Sequence, residues 1–156
     1  NENIRYFLDN ASDNSVLFIA GGGTSLDEIR KYGGSEVGDR IFYLGVLAYE
    51  DLIRLYKVSQ YFIHTAYLDH CPNVVVDAQA CGCKVICSSS GGTKEVVYSG
   101  IVIKEKDWDL SPIRLYQPPE MNFKDIMEVI DHQCEDKKPN MLSCSKKYYE
   151  VLKSII

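Results

Sequence analysis

Short apolar runs alternate with amphipathic segments along the first two thirds of the chain. The runs, which are typical of strands, lie at 16–20, 41–44, 61–64, 84–87 and 101–103. Segments with helical periodicity or helix-start signals lie between them at 24–32, 49–57, 73–81 and 93–98. Strands that alternate with helices at this spacing indicate βαβ units with right-handed crossovers. The pattern therefore predicts an α/β fold, with a doubly wound, Rossmann-like parallel sheet.

The local signals refine this outline. The run at 16–20 is continuously apolar, which predicts a strand buried on both faces. Thr24 or Ser25 can cap the helix that follows, and Gly33-Gly34 can end it. After the last strand we expect a loop over 104–120, then helices near 123–134 and 143–155, with a turn at 137–140. The prediction is one domain, with its core at about 10–104 and a helical tail at about 121–156.

Composition and charge narrow the possible classes. The 156 residues are 46% hydrophobic and 25% charged, as in an ordinary globular domain. The longest apolar runs of about five residues are far shorter than the roughly 20 that cross a bilayer. A net charge of −5 gives no field that attracts nucleic acid, so we expect no such partner. The polar start predicts no signal peptide, and the missing initiator Met indicates a piece of a longer protein.

Six cysteines require an interpretation. Cys81, Cys83 and Cys87 lie within seven positions in apolar sequence, which favours reduced, buried thiols in a cytosolic protein. A zinc site built from these residues with Cys71 and His70 is the alternative, but the spacing matches no common finger. We therefore predict no metal. The two remaining histidines, at positions 64 and 132, are expected to be packed or solvated rather than catalytic.

A glycine-rich loop follows the first predicted strand. Gly21, Gly22 and Gly23 allow close backbone approach to a ligand, although a tight turn alone explains them equally well. The third glycine of a dinucleotide-binding fingerprint would fall on Leu26, and no acidic residue closes the next strand. The loop therefore does not predict NAD binding.

The loop before the third helix carries the clearer chemistry. Pro72 suits a first helical position, and free amides of the residues Asn73 to Val75 at the helix start would bind a phosphate. Asp69 precedes this helix, and Asp77 lies four residues after Asn73 on the same face. A carboxylate in such an apolar helix needs partners, which sugar hydroxyls, a backbone amide or a buried Lys could each supply.

Four ordered blocks carry a family resemblance, at 17–23, 39–45, 71–82 and 90–97. From 16 to 97 the sequence resembles the C-terminal, nucleotide-sugar-binding half of the GT-B fold retaining glycosyltransferases of family 4. The resemblance implies a nucleoside-diphosphate sugar donor, retaining transfer to an acceptor hydroxyl, and a role in polysaccharide or glycoconjugate biosynthesis. It implies no metal and no cofactor beyond the donor substrate.

The resemblance also assigns roles to residues. The family's two acidic residues, usually Glu, match Asp69, which would contact the donor sugar near the reacting carbon, and Asp77, which would hold the ribose hydroxyls. The amides at the helix start would hold the diphosphate. The implied donor-binding positions are Gly21, Gly23, Val46, Leu47, Pro72, Asn73, Val74, Val75, Gly91, Gly92 and Thr93. Of these, Val46 and Leu47 would meet the base through backbone groups, and Gly91 to Thr93 would border the phosphate and sugar.

The sequence departs from the family pattern in several places. Both glutamates are aspartates, Lys84 replaces a Pro, and the Arg and Lys that neutralise the diphosphate have no match. We expect the N-terminal acceptor domain of the same parent chain to be absent, so the chain should fold without catalysing. The expected location is cytoplasmic, with peripheral contact at the inner membrane face through that missing domain. There are two alternatives. One is a non-catalytic binding or assembly domain, which the replacement of both glutamates by aspartates favours. The other is half of a related epimerase or phosphorylase.

Overall fold

The computed structural model describes residues 2–105, 121–131 and 153. The helices are α1 (Glu2–Asn10), α2 (Leu26–Gly33), α3 (Tyr49–Val58), α4 (Asn73–Ala80) and α5 (Thr93–Val96), with a short 3₁₀ turn at Gly34–Glu36. The strands are β1 (Leu17–Ala20), β2 (Ile41–Gly45), β3 (Tyr61–His64), β4 (Lys84–Ser88), β5 (Ser99–Ile103) and β6 (Ile126–Asp131). The five predicted strands and the four helices between them are confirmed within two residues at each end. Helix α1 and strand β6 were not predicted.

The strands form two sheets. β1 pairs with β2 in parallel, with Leu17 opposite Ile41. The second sheet has the order β3-β4-β5-β6, in which β3, β4 and β5 are parallel and β6 is antiparallel to β5. The predicted α/β class with parallel strands is confirmed. Within the described ranges the two sheets share no ladder, so the predicted strands are divided between them.

The second sheet is covered on both faces near β4. Val85 and Cys87 face α4 and pack in a cluster with Val75. Ile86 points the other way and packs with Ile103 and Phe123. Because successive strand residues point to opposite faces, burial of all three strand residues requires cover on both sides. This covered sheet is the frame for the loops at its carboxyl edge.

The first sheet is covered on one face only by the residues that the structure describes. Leu17 and Ile19 pack in a cluster with Ile4, Phe7, Ile29 and Ile41 from α1, α2 and β2. Phe18 points away from this cluster, contacts Phe42 and is 40% exposed. The prediction that this strand is buried on both faces is therefore wrong for β1, since α1 and α2 lie on the same side.

Helix α1 joins the two sheets. Its Ile4 and Phe7 belong to the cluster under the first sheet, whereas Tyr6 packs on the second sheet and stacks on Phe123 at 4.4 Å. The Asn3 side-chain amide donates to the Thr65 hydroxyl, 3.0 Å away, just beyond β3. A nine-residue amphipathic helix thus bridges two sheets that share no strand ladder within the part of the chain that the structure describes.

The prediction for the tail needs correction. The helix expected near 123–134 is wrong in its described part, because 126–131 is strand β6. There Ile130 lies opposite Gly100 of β5 and is buried in the cluster around Val102. Pairing with a long-range partner outweighs the weak local preference for helix. The predicted loop beyond 105, the turn at 137–140 and the second tail helix lie outside the described residues, apart from Lys153, which is helical.

Buried Gln79 fastens α4 to the segment after α5. Its side-chain nitrogen donates to the Val96 carbonyl at 3.0 Å, and its side-chain oxygen accepts from the Tyr98 amide at 2.8 Å. The Tyr98 hydroxyl in turn donates to the Gln79 carbonyl at 2.6 Å. A buried amide with both ends paired fixes the orientation of α4 against the sheet.

Candidate functional site

The segment that follows β4 packs against the loop after β3 and holds it in place. The Gly92 amide donates to the Asp69 carbonyl at 2.9 Å, and the Thr93 hydroxyl lies 3.4 Å from the same oxygen. A Cβ placed on Gly91 would lie 2.3 Å from that carbonyl oxygen, and one on Gly92 would lie 2.2 Å from the carbonyl oxygen of His70. The two glycines thus allow a backbone-to-backbone contact that no larger residue permits.

Leu68 has an unusual backbone conformation in this loop. Its φ of 54° is the only positive value among the non-glycine residues that the structure describes. Such a conformation costs about 1 kcal/mol or more for a residue with a Cβ, so surrounding contacts must hold it. One of them is the Leu68 amide, which donates to the Ser90 hydroxyl at 3.3 Å.

Asp69, the predicted contact for the donor sugar, is paired with a histidine. Its Oδ2 lies 3.1 Å from Nε2 of His64, with the Asp69 side chain 34% exposed and that of His64 14% exposed. The imidazole also stacks on Phe62 at 6.0 Å. Position 64 was expected to be packed or solvated; it is partly buried and contacts the candidate catalytic carboxylate. Its place as the last residue of β3, at the ligand edge of a parallel sheet, is the signal that could have found it.

The start of α4 differs in detail from the prediction. Pro72 is the N-cap, with φ −71° and ψ 115°, rather than the first helical residue. Its carbonyl accepts from the Val75 amide at 3.0 Å, so the prediction of a free amide at Val75 is wrong. Among the described residues, the amides of Asn73 and Val74 have no acceptor. Two free N–H groups and the positive end of the helix dipole therefore lie at this edge.

Asp77 faces a neighbouring helix start. Its negative charge raises the pKa of Tyr49, the first residue of α3. Burial, followed by the charge of Asp77, raises the pKa of Tyr56 to about 12. Tyr49 is 64% exposed and was not identified from the sequence. The packing of α3 on α4 thus brings a phenol to the predicted ribose-binding carboxylate.

The loops of the first sheet form a second group. Gly21 and Gly23 have φ values of 119° and 90°. The Tyr43 hydroxyl lies 3.2 Å from the Gly21 carbonyl oxygen and 3.1 Å from that of Thr24, which ties the glycine loop to β2. Val46 is 81% exposed, and its Cγ2 would lie 3.5 Å from a Cβ built on the neighbouring glycine, residue 22. Predicted site residues of both loops therefore lie side by side.

The structure places the predicted residues in these two groups. Asp69, Gly91, Gly92 and Thr93 contact one another after β3 and β4, and the start of α4 follows the same loop. Thr93 is only 1% exposed, so its side chain supports the Asp69 backbone from inside the protein. Gly21, Gly23 and Val46 lie after β1 and β2, with half-buried Leu47 next to them.

The described ranges contain neither a disulfide nor a metal-binding cluster. The four cysteines there are free, and no group of three or more His, Cys, Asp or Glu side chains could hold a metal ion. Cys83 and Cys87 are buried as predicted, Cys81 is only partly buried, and Cys71 is exposed. Burial raises the pKa of Cys87 to about 11, which keeps that thiol protonated and unreactive. No helix in this part of the chain has the length and apolar character to cross a membrane.

The sequence is similar to those of two glycosyltransferases. An uncharacterized glycosyltransferase of Methanocaldococcus jannaschii is 29% identical over 94 residues, which are 58% of this chain and 24% of that protein. A GDP-mannose-dependent monoacylated alpha-(1-6)-phosphatidylinositol monomannoside mannosyltransferase of Corynebacterium glutamicum is 30% identical over 108 residues, 64% of this chain and 28% of that protein. The chain therefore spans about a quarter of the length of these relatives.

The fold is also similar to solved structures. Anabaena HepE, crystallised in complex with UDP and glucose, matches with a TM-score of 0.56 and 19% sequence identity, over 67% of this chain and 30% of that one. The sequence profile described as Glycosyl transferases group 1 matches residues 2–111, well over half of the chain. Because this match covers most of a chain that also has parallel α/β sheets, the chain belongs to the glycosyl transferases group 1 family.

Proposed function

We propose that this chain is the donor-binding domain of a retaining, metal-independent glycosyltransferase of family 4. It would hold a nucleoside-diphosphate sugar for transfer to an acceptor hydroxyl in polysaccharide or glycoconjugate biosynthesis. The acceptor domain would come from the same parent chain, at the cytoplasmic face of a membrane. HepE was crystallised with UDP and glucose, and the corynebacterial relative uses GDP-mannose, which supports a nucleotide-sugar donor here.

The observation that carries the proposal is the start of α4. The free amides of Asn73 and Val74 provide two donors for a diphosphate, and the helix dipole adds a positive potential. Asp69 precedes these amides and Asp77 follows them by one turn. A phosphate held between the two carboxylates would have the sugar on one side and the ribose on the other. The hydroxyls of each could donate hydrogen bonds to the nearby carboxylate.

The chemistry would depend on stabilising the leaving diphosphate. Negative charge grows on the phosphate oxygens as the glycosidic bond breaks, and preorganised N–H donors stabilise that charge most when water is excluded. Asp69 would contact the sugar near the reacting carbon, held there by its backbone bonds to Gly92 and Thr93. Asp77, beside the Tyr49 phenol, would bind the ribose.

The test is calorimetric titration of the chain with UDP, GDP and ADP. We expect saturable binding of one of them, and a loss of about tenfold or more in affinity for Asp77→Ala, because a charged hydrogen bond to the ribose is removed. Asp27→Ala is the matched control, since that carboxylate is 93% exposed on α2 and should not alter binding. Failure of all three nucleotides to bind contradicts the proposal and favours the non-catalytic binding domain.

A further inference from the structure

A buried acidic residue lies two residues beyond β5, away from the residues assigned to the donor. Glu105 is 4% exposed, and its carboxylate accepts a hydrogen bond from the Ser88 hydroxyl, which is itself 1% exposed. Its own backbone amide is fixed by the Ser89 hydroxyl at 2.9 Å. Burying a carboxylate is costly unless it is hydrogen-bonded, and here the Ser88 hydroxyl supplies such a bond.

The hydrogen bonds continue from Ser88 to the site. The Ser88 and Ser90 hydroxyl oxygens are 2.7 Å apart, and the Ser90 amide donates to the Ser88 hydroxyl at 2.9 Å. The Ser90 hydroxyl then accepts from the Leu68 amide at 3.3 Å. Glu105 is therefore connected to Leu68, the residue immediately before Asp69, through two serines.

The direction of each bond follows from the proton count. A hydroxyl has one proton, and that of Ser88 goes to Glu105. The bond between the two serines must then be donated by Ser90, whose oxygen is left to accept from Leu68. Each donor in this series of hydrogen bonds points toward the carboxylate, and hydrogen bonds aligned in this way strengthen one another.

We propose that Glu105, acting through Ser88 and Ser90, is a positioning residue that holds Leu68 in its left-handed conformation and so orients Asp69 toward the donor sugar. This inference rests on the proposed function. It explains why Leu68 keeps a φ of 54° without being glycine. It also assigns to the serine-rich segment after β4 a role that the glycines beside it do not fill: they permit the close contact, and the serines fix its geometry.

The first measurement is amide hydrogen exchange in the unliganded protein. Ser90→Ala and Glu105→Ala should each speed exchange at Leu68 by about tenfold or more. The first removes the hydroxyl that accepts from the Leu68 amide, and the second removes the carboxylate that fixes the two serines. Ser90→Thr, which keeps a hydroxyl, should restore slow exchange. Ser15→Ala is the matched control: that serine makes a bond of similar length, 2.8 Å, to the Ser12 hydroxyl at the opposite end of β1. Unchanged Leu68 exchange in Ser90→Ala overturns the inference.

The second measurement separates positioning from general destabilisation. Calorimetry compares UDP with UDP-glucose, GDP with GDP-mannose and ADP with ADP-glucose. For the pair that binds, Ser90→Ala should reduce the extra affinity given by the sugar by about tenfold while leaving affinity for the nucleotide within about twofold. Equal loss for both ligands, or no loss for either, overturns the inference. If no nucleotide binds the unmodified protein while Leu68 exchange responds as expected, the proposed function fails. The role of Glu105, Ser88 and Ser90 in holding Leu68 is then still supported.

Discussion

Replacing Gly92 with alanine tests whether the glycines after β4 are required by close packing. The backbone of Gly92 has φ −97° and ψ −2°, which alanine adopts without strain, so the substitution adds only a methyl group. That Cβ would lie 2.2 Å from the His70 carbonyl oxygen, whereas real Cβ contacts stay beyond 3.0 Å. The loop must therefore retreat by about 0.8 Å, because backbone cannot rotate away as a side chain can.

The cost can be worked from these contacts. A forced shift of packed backbone costs roughly 1–3 kcal/mol, and loss of the Gly92–Asp69 hydrogen bond adds about 1 kcal/mol. We expect Gly92→Ala to lower the free energy of unfolding by about 2–4 kcal/mol in urea titrations followed by circular dichroism. Calorimetry should also show weaker discrimination in favour of the nucleotide sugar, since Asp69 moves with the loop.

A second glycine provides the control. A Cβ on Gly22 would lie 3.5 Å from its nearest neighbour, Val46 Cγ2, which is an ordinary contact. Gly22→Ala adds the same methyl group at the ligand edge of the other sheet, and should change the free energy of unfolding by less than about 1 kcal/mol. If Gly92→Ala is as stable as Gly22→Ala, the argument that backbone contact requires glycine at position 92 is refuted.

Two further predictions concern the core and pH. Gln79→Leu should cost about 2–5 kcal/mol in urea unfolding, because both backbone groups served by its amide are left unpaired, whereas Gln60→Leu, at an exposed position, should cost less than about 0.5 kcal/mol. Equal costs would contradict the role given to Gln79. Burial raises the pKa of Cys87 from 9.0 to about 11, so the neutral thiol favours the folded state; this contribution is complete below pH 9 and is lost as the pH rises through 11. Under reducing conditions Cys87→Ala should therefore lose roughly 2–3 kcal/mol less stability between pH 8 and pH 11 than Cys71→Ala, which keeps the buried thiol, and equal losses would refute the assignment.

Features set by neighbouring residues could be predicted from the sequence. The N-cap is Ser25, whose hydroxyl accepts from the Glu28 amide at 3.2 Å, and the helix it starts ends at Gly33, with Gly34 as the C-cap at a positive φ of 55°. These are local interactions within one turn, so residue type and spacing determine them. The order of strands and helices followed from apolar periodicity for the same reason, and with it the edge at which the candidate site lies.

Features set by distant residues could not be predicted. Ile126, Val129 and Ile130 fit a helical stripe as well as a strand, and only pairing with β5 decides between the two. Nothing local places Tyr49 beside Asp77, because these two residues are brought together by the packing of α3 on α4. The candidate carboxylates were therefore found from the sequence, and their partners were not.

The bridging position of α1 has a consequence for folding cooperativity. Within the described ranges the two sheets share no hydrogen-bond ladder, and the β1–β2 sheet has only two strands, too few for independent stability. Its cluster depends on Ile4 and Phe7, while Tyr6 on the same helix packs against the larger sheet. Fraying of α1 would therefore release the glycine loop together with Val46 and Leu47, while β3, β4 and β5 stayed folded. Half of the candidate site is thus governed by a nine-residue helix that contributes none of its assigned residues.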